Sequence, residues 1–168
     1  VTIFNFPGVV VHEISHEFLC KVFNVRVIKV CYYNFRESSG YVLHEAPKYL
    51  YQEILIATAP FLLNSLIGAI IATKFMINSK FEISNLDNLD WRHFVGIWLS
   101  ISIAKCAIPS NTDAKSILHH ISDSNANFIF KILARIIVTP IVILIYLGNL
   151  GSSWLKIDWL YGVCVFLI

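Results

Sequence analysis

The strongest constraint on the fold is a run of twenty residues without a charge, ILIATAPFLLNSLIGAIIAT, from Ile54 to Thr73. A helix needs about 20 apolar residues to cross a hydrocarbon core of roughly 30 Å, so we predict that this run spans a membrane. The rest of the chain fits that environment, because 57% of its 168 residues are hydrophobic and only 14% are charged. Ordinary soluble domains carry more charge. The sequence therefore predicts an integral membrane protein.

Four further apolar runs extend this prediction. Trp91 to Ala107 and Phe128 to Leu150 are each typical of a spanning helix. The last run, Trp154 to Ile168, is barely long enough to cross, and the first, Thr2 to Val25, is apolar apart from one polar cluster. We expect a single domain over residues 1–168, a mainly α integral membrane bundle of four to five apolar helices.

A small β-hairpin is predicted directly after the first helix. Val25 to Asn34 and Gly40 to His44 are rich in Val, Ile and Tyr, and the intervening ESSG is typical of a turn. The stretches from Asn78 to Asp90 and from Ser110 to Asn127 are polar, so we predict connecting segments there.

Charge and cysteine content exclude several functions. The 13 basic and 11 acidic residues lie mostly between apolar runs and form no continuous basic surface for nucleic acid. The four cysteines include no CxxC pair, which excludes a cysteine-type zinc knuckle. Basic residues are more numerous around the hairpin and the Ser110 to Asn127 stretch than on the opposite side. We therefore expect a multi-pass protein with this face, and the active site, on the cytoplasmic side.

The first apolar run contains HEISH at residues 12–16. On a helix, His12 and His16 lie one turn apart on the same face, where two imidazoles can bind one zinc ion, and Glu13 projects beside them. Such a site leaves a position for water, whose proton a glutamate can take. The same letters occur by chance on solvated helix faces, but an apolar segment offers no solvent to these side chains. We interpret His12 and His16 as ligands and Glu13 as a general base.

A third ligand has to come from another segment, because Leu19 and Val22 stand where the long zinc-protease motif has glycine and histidine. The candidates are Asp113, Asp123, His119, His120, His44 and Glu53. We favour Asp113, because a chain broken at Pro109 can return a carboxylate to the depth of the histidines. The alternative role for Asp113 is a helix cap or turn residue.

These features together resemble the site-2 protease type of intramembrane metalloprotease. The resemblance covers roughly residues 4 to 116. It comprises an apolar helix with HExxH, a hairpin directly after it, a second span with Ala59, Pro60 and Asn64, and a later span that leads to Asp113. The chain departs from the family in the spacing from Pro60 to Asn64 and in the residues around Asp113.

The resemblance implies a hydrolytic zinc site. The residues that it assigns to this site are His12, His16 and Asp113 as zinc ligands and Glu13 as catalytic base. Residues 25–44 would pair with an unfolded substrate strand, and Asn64 and Asn111 are possible oxyanion or substrate supports.

The expected function is therefore a zinc-dependent intramembrane endopeptidase that hydrolyses peptide bonds of membrane-anchored substrates. Its partners would be a membrane-anchored peptide or protein and the lipid bilayer, with no nucleic acid. The alternative is a non-proteolytic metal-binding membrane protein, such as a transporter, a sensor or an inactive homologue. Glu13 distinguishes these two functions, because a site that only binds a metal does not need a general base.

Overall fold

The computed structural model describes residues 2–79, 90–123 and 127–167. Within these ranges the chain forms six helices and one hairpin. In chain order they are α1 (Thr2–Val22), β1 (Val27–Asn34), β2 (Ser39–His44), α2 (Leu50–Ser79), α3 (Trp91–Lys105), α4 (Asn111–Asp123), α5 (Phe128–Trp154) and α6 (Ile157–Leu167). The connector predicted from Asn78 to Asp90 falls mostly on residues 80–89, which lie outside the described residues.

The predicted bundle of four to five apolar helices is wrong. Among the described helices only two are long and apolar enough to cross a membrane, Leu50–Phe75 and Phe128–Trp154. The polar cluster in α1 lowers the hydropathy of that helix. With 15 residues in α3 and 11 in α6, both are shorter than the about 20 residues that a span requires.

The predicted connector after Ser110 is also different, because it contains α4. Ser110 and Asp113 cap this helix reciprocally: the Ser110 amide donates to the Asp113 carboxylate at 2.6 Å, and the Asp113 amide donates to the Ser110 hydroxyl at 3.2 Å. This is the arrangement of a capping box, with aspartate in place of glutamate. Ala114, Ile117 and Ile121 recur at helical spacing and are buried. Few apolar positions among many polar ones are enough for an amphipathic helix.

The helices α1, α2 and α3 meet around the side chain of Asn64, which is fully buried. Its Nδ2 lies 3.3 Å from each of the carbonyl oxygens of Gly8, Ile103 and Cys106, and its Oδ1 accepts from Ser15 at 3.1 Å. The close approach of α1 to α3 requires Gly8, because a Cβ there would lie 2.0 Å from the carbonyl oxygen of Ser102. Small residues and buried amides hold helices together in this way where no water competes.

A second layer is formed by α4 and α5. Ala134, Val138 and Val142, one helical turn apart on α5, pack with Ile117 and Ile121 of α4 in one hydrophobic cluster. Only 22% of an 18-residue apolar stretch of α5 is buried inside the protein, and 33% of the corresponding stretch of α2. The outer faces of both helices therefore present large apolar side chains that the described protein does not cover.

The short helix α6 is joined to α3 through a buried ion pair. Lys105 Nζ lies 3.1 Å from the Asp158 carboxylate, donates to Asn5 Oδ1 at 3.2 Å, and lies 4.7 Å from the centre of the Trp159 ring. Each partner therefore compensates the other's charge away from solvent.

The hairpin is present and packs on α1. Its strands are antiparallel, with Val30 opposite Val42. Glu17 of α1 accepts a hydrogen bond from the Tyr32 hydroxyl and forms an ion pair with Lys21 at 2.5 Å. The hydrogen bond to the Glu17 carboxylate raises the pKa of Tyr32. The hydrogen bond between Tyr32 and Glu17 joins the hairpin to α1 next to the HEISH segment.

Replacing Asn64 by alanine should destabilise the fold. We expect a loss of about 1–3 kcal/mol, because the change removes the buried amide that three carbonyls share. Thermal unfolding in detergent measures the effect. The matched control is Asn111→Ala, at an exposed first position of α4, where surface substitution should change stability by less than about 0.5 kcal/mol. Equal effects of the two changes would contradict a central role for Asn64.

Candidate metal centre

The structure brings His12, His16 and Asp113 together. The histidines lie one turn apart on α1, and Asp113 lies in the first turn of α4. One donor atom from each residue lies within 4.8 Å of the donor atoms of the other two. Among the described residues, these three form the cluster of histidine and carboxylate side chains that could hold a metal ion. The third ligand favoured from the sequence therefore lies beside the two histidines.

The distances between the donor atoms fit a small cation. The two Nε2 atoms are 3.2 Å apart, and Asp113 oxygens lie 3.5 Å from Nε2 of His16 and 3.8 Å from Nε2 of His12. Ligands about 2.0–2.1 Å from a tetrahedral zinc ion are about 3.3–3.4 Å from each other. The separations are thus close to those of a zinc site, with the carboxylate slightly withdrawn.

Backbone carbonyls fix the tautomer of both histidines. Nδ1 of His12 donates to the carbonyl oxygen of Cys106 at 2.7 Å, and Nδ1 of His16 donates to that of Ile56 at 2.8 Å. Because a carbonyl oxygen can only accept, each Nδ1 carries a proton, and in the neutral ring the lone pair is on Nε2. The two lone pairs therefore point at the same small volume, which favours a bound cation.

The two carbonyls are free to accept because each lies where a helix lacks a donor. Cys106 follows the last residue of α3, where carbonyls have no intrahelical partner. Ile56 lies inside α2, but the residue four positions later is Pro60, which has no N–H to donate. The proline thus exposes the carbonyl that orients His16.

Asp113 is held by Ser110, whose amide and hydroxyl both donate to Oδ2, at 2.6 and 2.8 Å. Oδ1 remains directed at His16. One oxygen of Asp113 therefore caps the helix, and the other is placed where it could bind a metal.

Glu13 lies next to the donors, at the wall of a cleft of about 1200 Å³. The same cleft is lined by the three donor residues, by β2 and by the exposed side of α4. The hairpin approaches closely at Gly40, where a Cβ would lie 2.4 Å from Cγ of Glu13 and 2.8 Å from two backbone oxygens of β1. Only glycine at this position permits the strand to pass beside the glutamate.

The remaining candidates occupy different places. The other candidates for the third ligand line the cleft but do not belong to the metal group: His44, Glu53, His119, His120 and Asp123. Asn64 is buried in hydrogen bonds between helices, and Asn111 is exposed at the start of α4; neither lines the cleft.

Two contributors to the site were not singled out from the sequence, the carbonyls of Cys106 and Ile56. A proline four residues after Ile56 marks a free carbonyl, so one of the two could have been found from the sequence. Ser110, considered from the sequence as a possible helix cap, also donates twice to Asp113.

Comparisons with protein-family models, with curated proteins and with solved structures each found no match.

Zinc binding should depend on the three donors. Detergent-purified protein is expected to hold about one zinc per chain, and His16→Ala and Asp113→Ala should each lose it, because two ligands bind zinc far more weakly than three. Elemental analysis measures the content. His119→Ala is the control, since this exposed histidine pairs with Asp123 on α4. Zinc retained in Asp113→Ala would contradict its assignment as a ligand.

Pro60→Ala should weaken zinc binding without removing any ligand. The new N–H would compete with His16 for the Ile56 carbonyl, and loss of such an orienting partner typically lowers metal affinity about 10–100-fold. Competition with a zinc chelator measures the affinity. Pro140→Ala, in the middle of α5, introduces the same change away from the site and should leave the affinity unaltered. An unchanged affinity in Pro60→Ala would show that the carbonyl does not orient His16.

Proposed function

We propose that this protein is a zinc-dependent intramembrane endopeptidase that hydrolyses peptide bonds of membrane-anchored substrates. The observation that carries the proposal is the position of Glu13, beside three convergent metal donors and at the wall of an open cleft. A site built only to hold a metal needs neither the adjacent carboxylate nor the space in front of it. The proposal agrees with the resemblance to site-2 proteases.

The proposed membrane location rests on α2 and α5. Both are long and apolar enough to span a bilayer, and most of their apolar surface is not buried inside the protein. A soluble protein rarely leaves so large an apolar surface uncovered, whereas lipid tails cover it without cost. The remaining helices pack beside these two, so the metal centre lies within the same helical assembly.

His12, His16 and Asp113 would hold the zinc ion, which would supply Lewis-acid chemistry that activates water at neutral pH and polarises a peptide carbonyl. Glu13 takes a proton from the attacking water and then delivers it to the nitrogen of the leaving amine. Ser110 holds Asp113, and the carbonyls of Cys106 and Ile56 hold the histidines, so these groups need not reorganise during the reaction.

The hairpin offers a way to present substrate. A peptide bond inside a helix is shielded, so an intramembrane substrate has to be extended before it is cut. β2 lines the cleft from Ser39 to His44, and within the described residues no strand other than β1 pairs with it. Its unpaired edge provides backbone donors and acceptors for an added strand. A substrate strand paired there would pass Glu13 at Gly40.

Glu13→Gln should abolish cleavage and retain zinc. The amide keeps the size of the side chain but cannot accept a proton, so we expect a decrease in rate of at least about 10²–10⁴-fold, the usual contribution of a general base. The assay uses synthetic single-span peptides in vesicles and fluorescent unfolded casein, with products identified by mass spectrometry.

Glu45→Gln provides the matched control, since Glu45 is exposed and pairs with Arg26. It should cut at the wild-type rate. Cleavage retained in Glu13→Gln would contradict the assignment of the base. Zinc bound by a wild-type protein that cuts nothing would favour a non-proteolytic metal-binding function.

A further inference from the structure

Besides Glu13 and Asp123, a further carboxylate lines the cleft without belonging to the metal group. Glu53 lies in the first turn of α2, and its side chain is only 3% exposed. Among residues 2–79, 90–123 and 127–167 no hydrogen bond or ion pair of its carboxylate is seen, and its oxygens are not among the enclosed polar atoms that lack a partner, so they are reached from the cleft. Buried carboxylates in proteins are almost always paired. Glu53 therefore faces the cleft with its binding capacity unused.

Neither lysine of the cleft wall pairs with this carboxylate. Lys48 and Lys115 are the lysines on its wall, both side chains are exposed, and neither forms an ion pair within the described part of the chain. Lys48 instead lies over the Tyr49 ring, with Nζ 5.2 Å from its centre. The negative charge of Glu53 thus lacks a partner from the protein side.

Glu53 also lies about one helical turn before the carbonyl that holds His16. It precedes Ile56, whose carbonyl holds His16, by three residues, which is about 4.5 Å along the helix axis. On the opposite wall, β2 runs from Gly40, beside Glu13, to His44, and residues 45–49 then lead directly to α2. A strand lying along β2 would pass Glu13 first and then the first turn of α2.

We propose that Glu53 forms a specificity subsite for a lysine or arginine side chain of the substrate. The basic residue would lie on the side of the scissile bond where the strand runs from Gly40 towards His44 and the first turn of α2. The contact is a charge-assisted hydrogen bond, for which a guanidinium or ammonium is the natural partner of a carboxylate. This inference rests on the proposed function, because it assigns a substrate feature to the same cleft.

The experiment measures binding and cleavage separately. Single-span peptides in vesicles carry Lys, Gln or Glu at successive positions around the cut site, and their affinities are measured on the Glu13→Gln protein, which is expected to bind without cutting. At one position the Lys peptide should bind about tenfold more tightly than the Gln peptide. Adding Glu53→Gln should bring this ratio to about one, and Glu53→Lys should favour the Glu peptide.

Two controls fix the interpretation. Glu37→Gln makes the same chemical change in the exposed turn of the hairpin, outside the cleft, and should leave the tenfold ratio intact. Zinc content at the level of the parent protein shows that each Glu53 variant has folded. A ratio that persists in Glu53→Gln, or a parent protein with no preference for Lys at any position, would overturn the subsite.

Failure of the proposed function has a different signature. A wild-type protein that cuts none of the peptides, while basic peptides still bind in a Glu53-dependent way, would overturn the peptidase and support the subsite as a binding site for basic segments. Cleavage that does not depend on the charge of the peptide would support the peptidase and overturn the subsite.

Discussion

The side-chain amide of Asn64 satisfies backbone carbonyls of α1 and α3 where these helices cross α2. Apolar side chains can fill such a crossing in several registers with similar energy, whereas an amide with fixed acceptors permits one. The arrangement of α1 and α3 therefore depends on it. Because α1 carries the histidines, the geometry of the candidate metal centre depends on the same contact.

The coupling between fold and site is direct at Cys106. Its carbonyl oxygen accepts from Asn64, which holds the helices, and from His12, which faces the metal position. On the other side of the site, Pro60 leaves the Ile56 carbonyl to His16. Interruptions of regular helix, at the end of α3 and at a proline in α2, thus supply the acceptors that orient both ligands.

The sequence predicted the centre of the site better than the architecture around it. The 3.6-residue period of a helix is enough to place His12 and His16 of HEISH on one face. Pro109 indicated where the chain could turn back and bring Asp113 towards the histidines. The predicted number of apolar helices was wrong because hydropathy reports the polarity of side chains and not the contacts that they make in the fold. α4 was missed because its few apolar residues, such as Ile117, are separated by polar ones. Asn64 acts through contacts distant in sequence, which no local pattern reveals.

The ion pair between Lys105 and Asp158 has a consequence for biosynthesis. Lys105 enters the growing chain first, and at about 5–20 residues per second Asp158 follows only about 3–10 s later. During this interval the Asp158 counter-charge is missing, whereas Asn5, the neutral partner of Lys105 in the folded protein, has already been synthesised. The ion pair that joins α3 to α6 can therefore form only once α6 has been made. Because the Cys106 carbonyl follows Lys105 directly, the acceptor of His12 lies beside a contact that forms late.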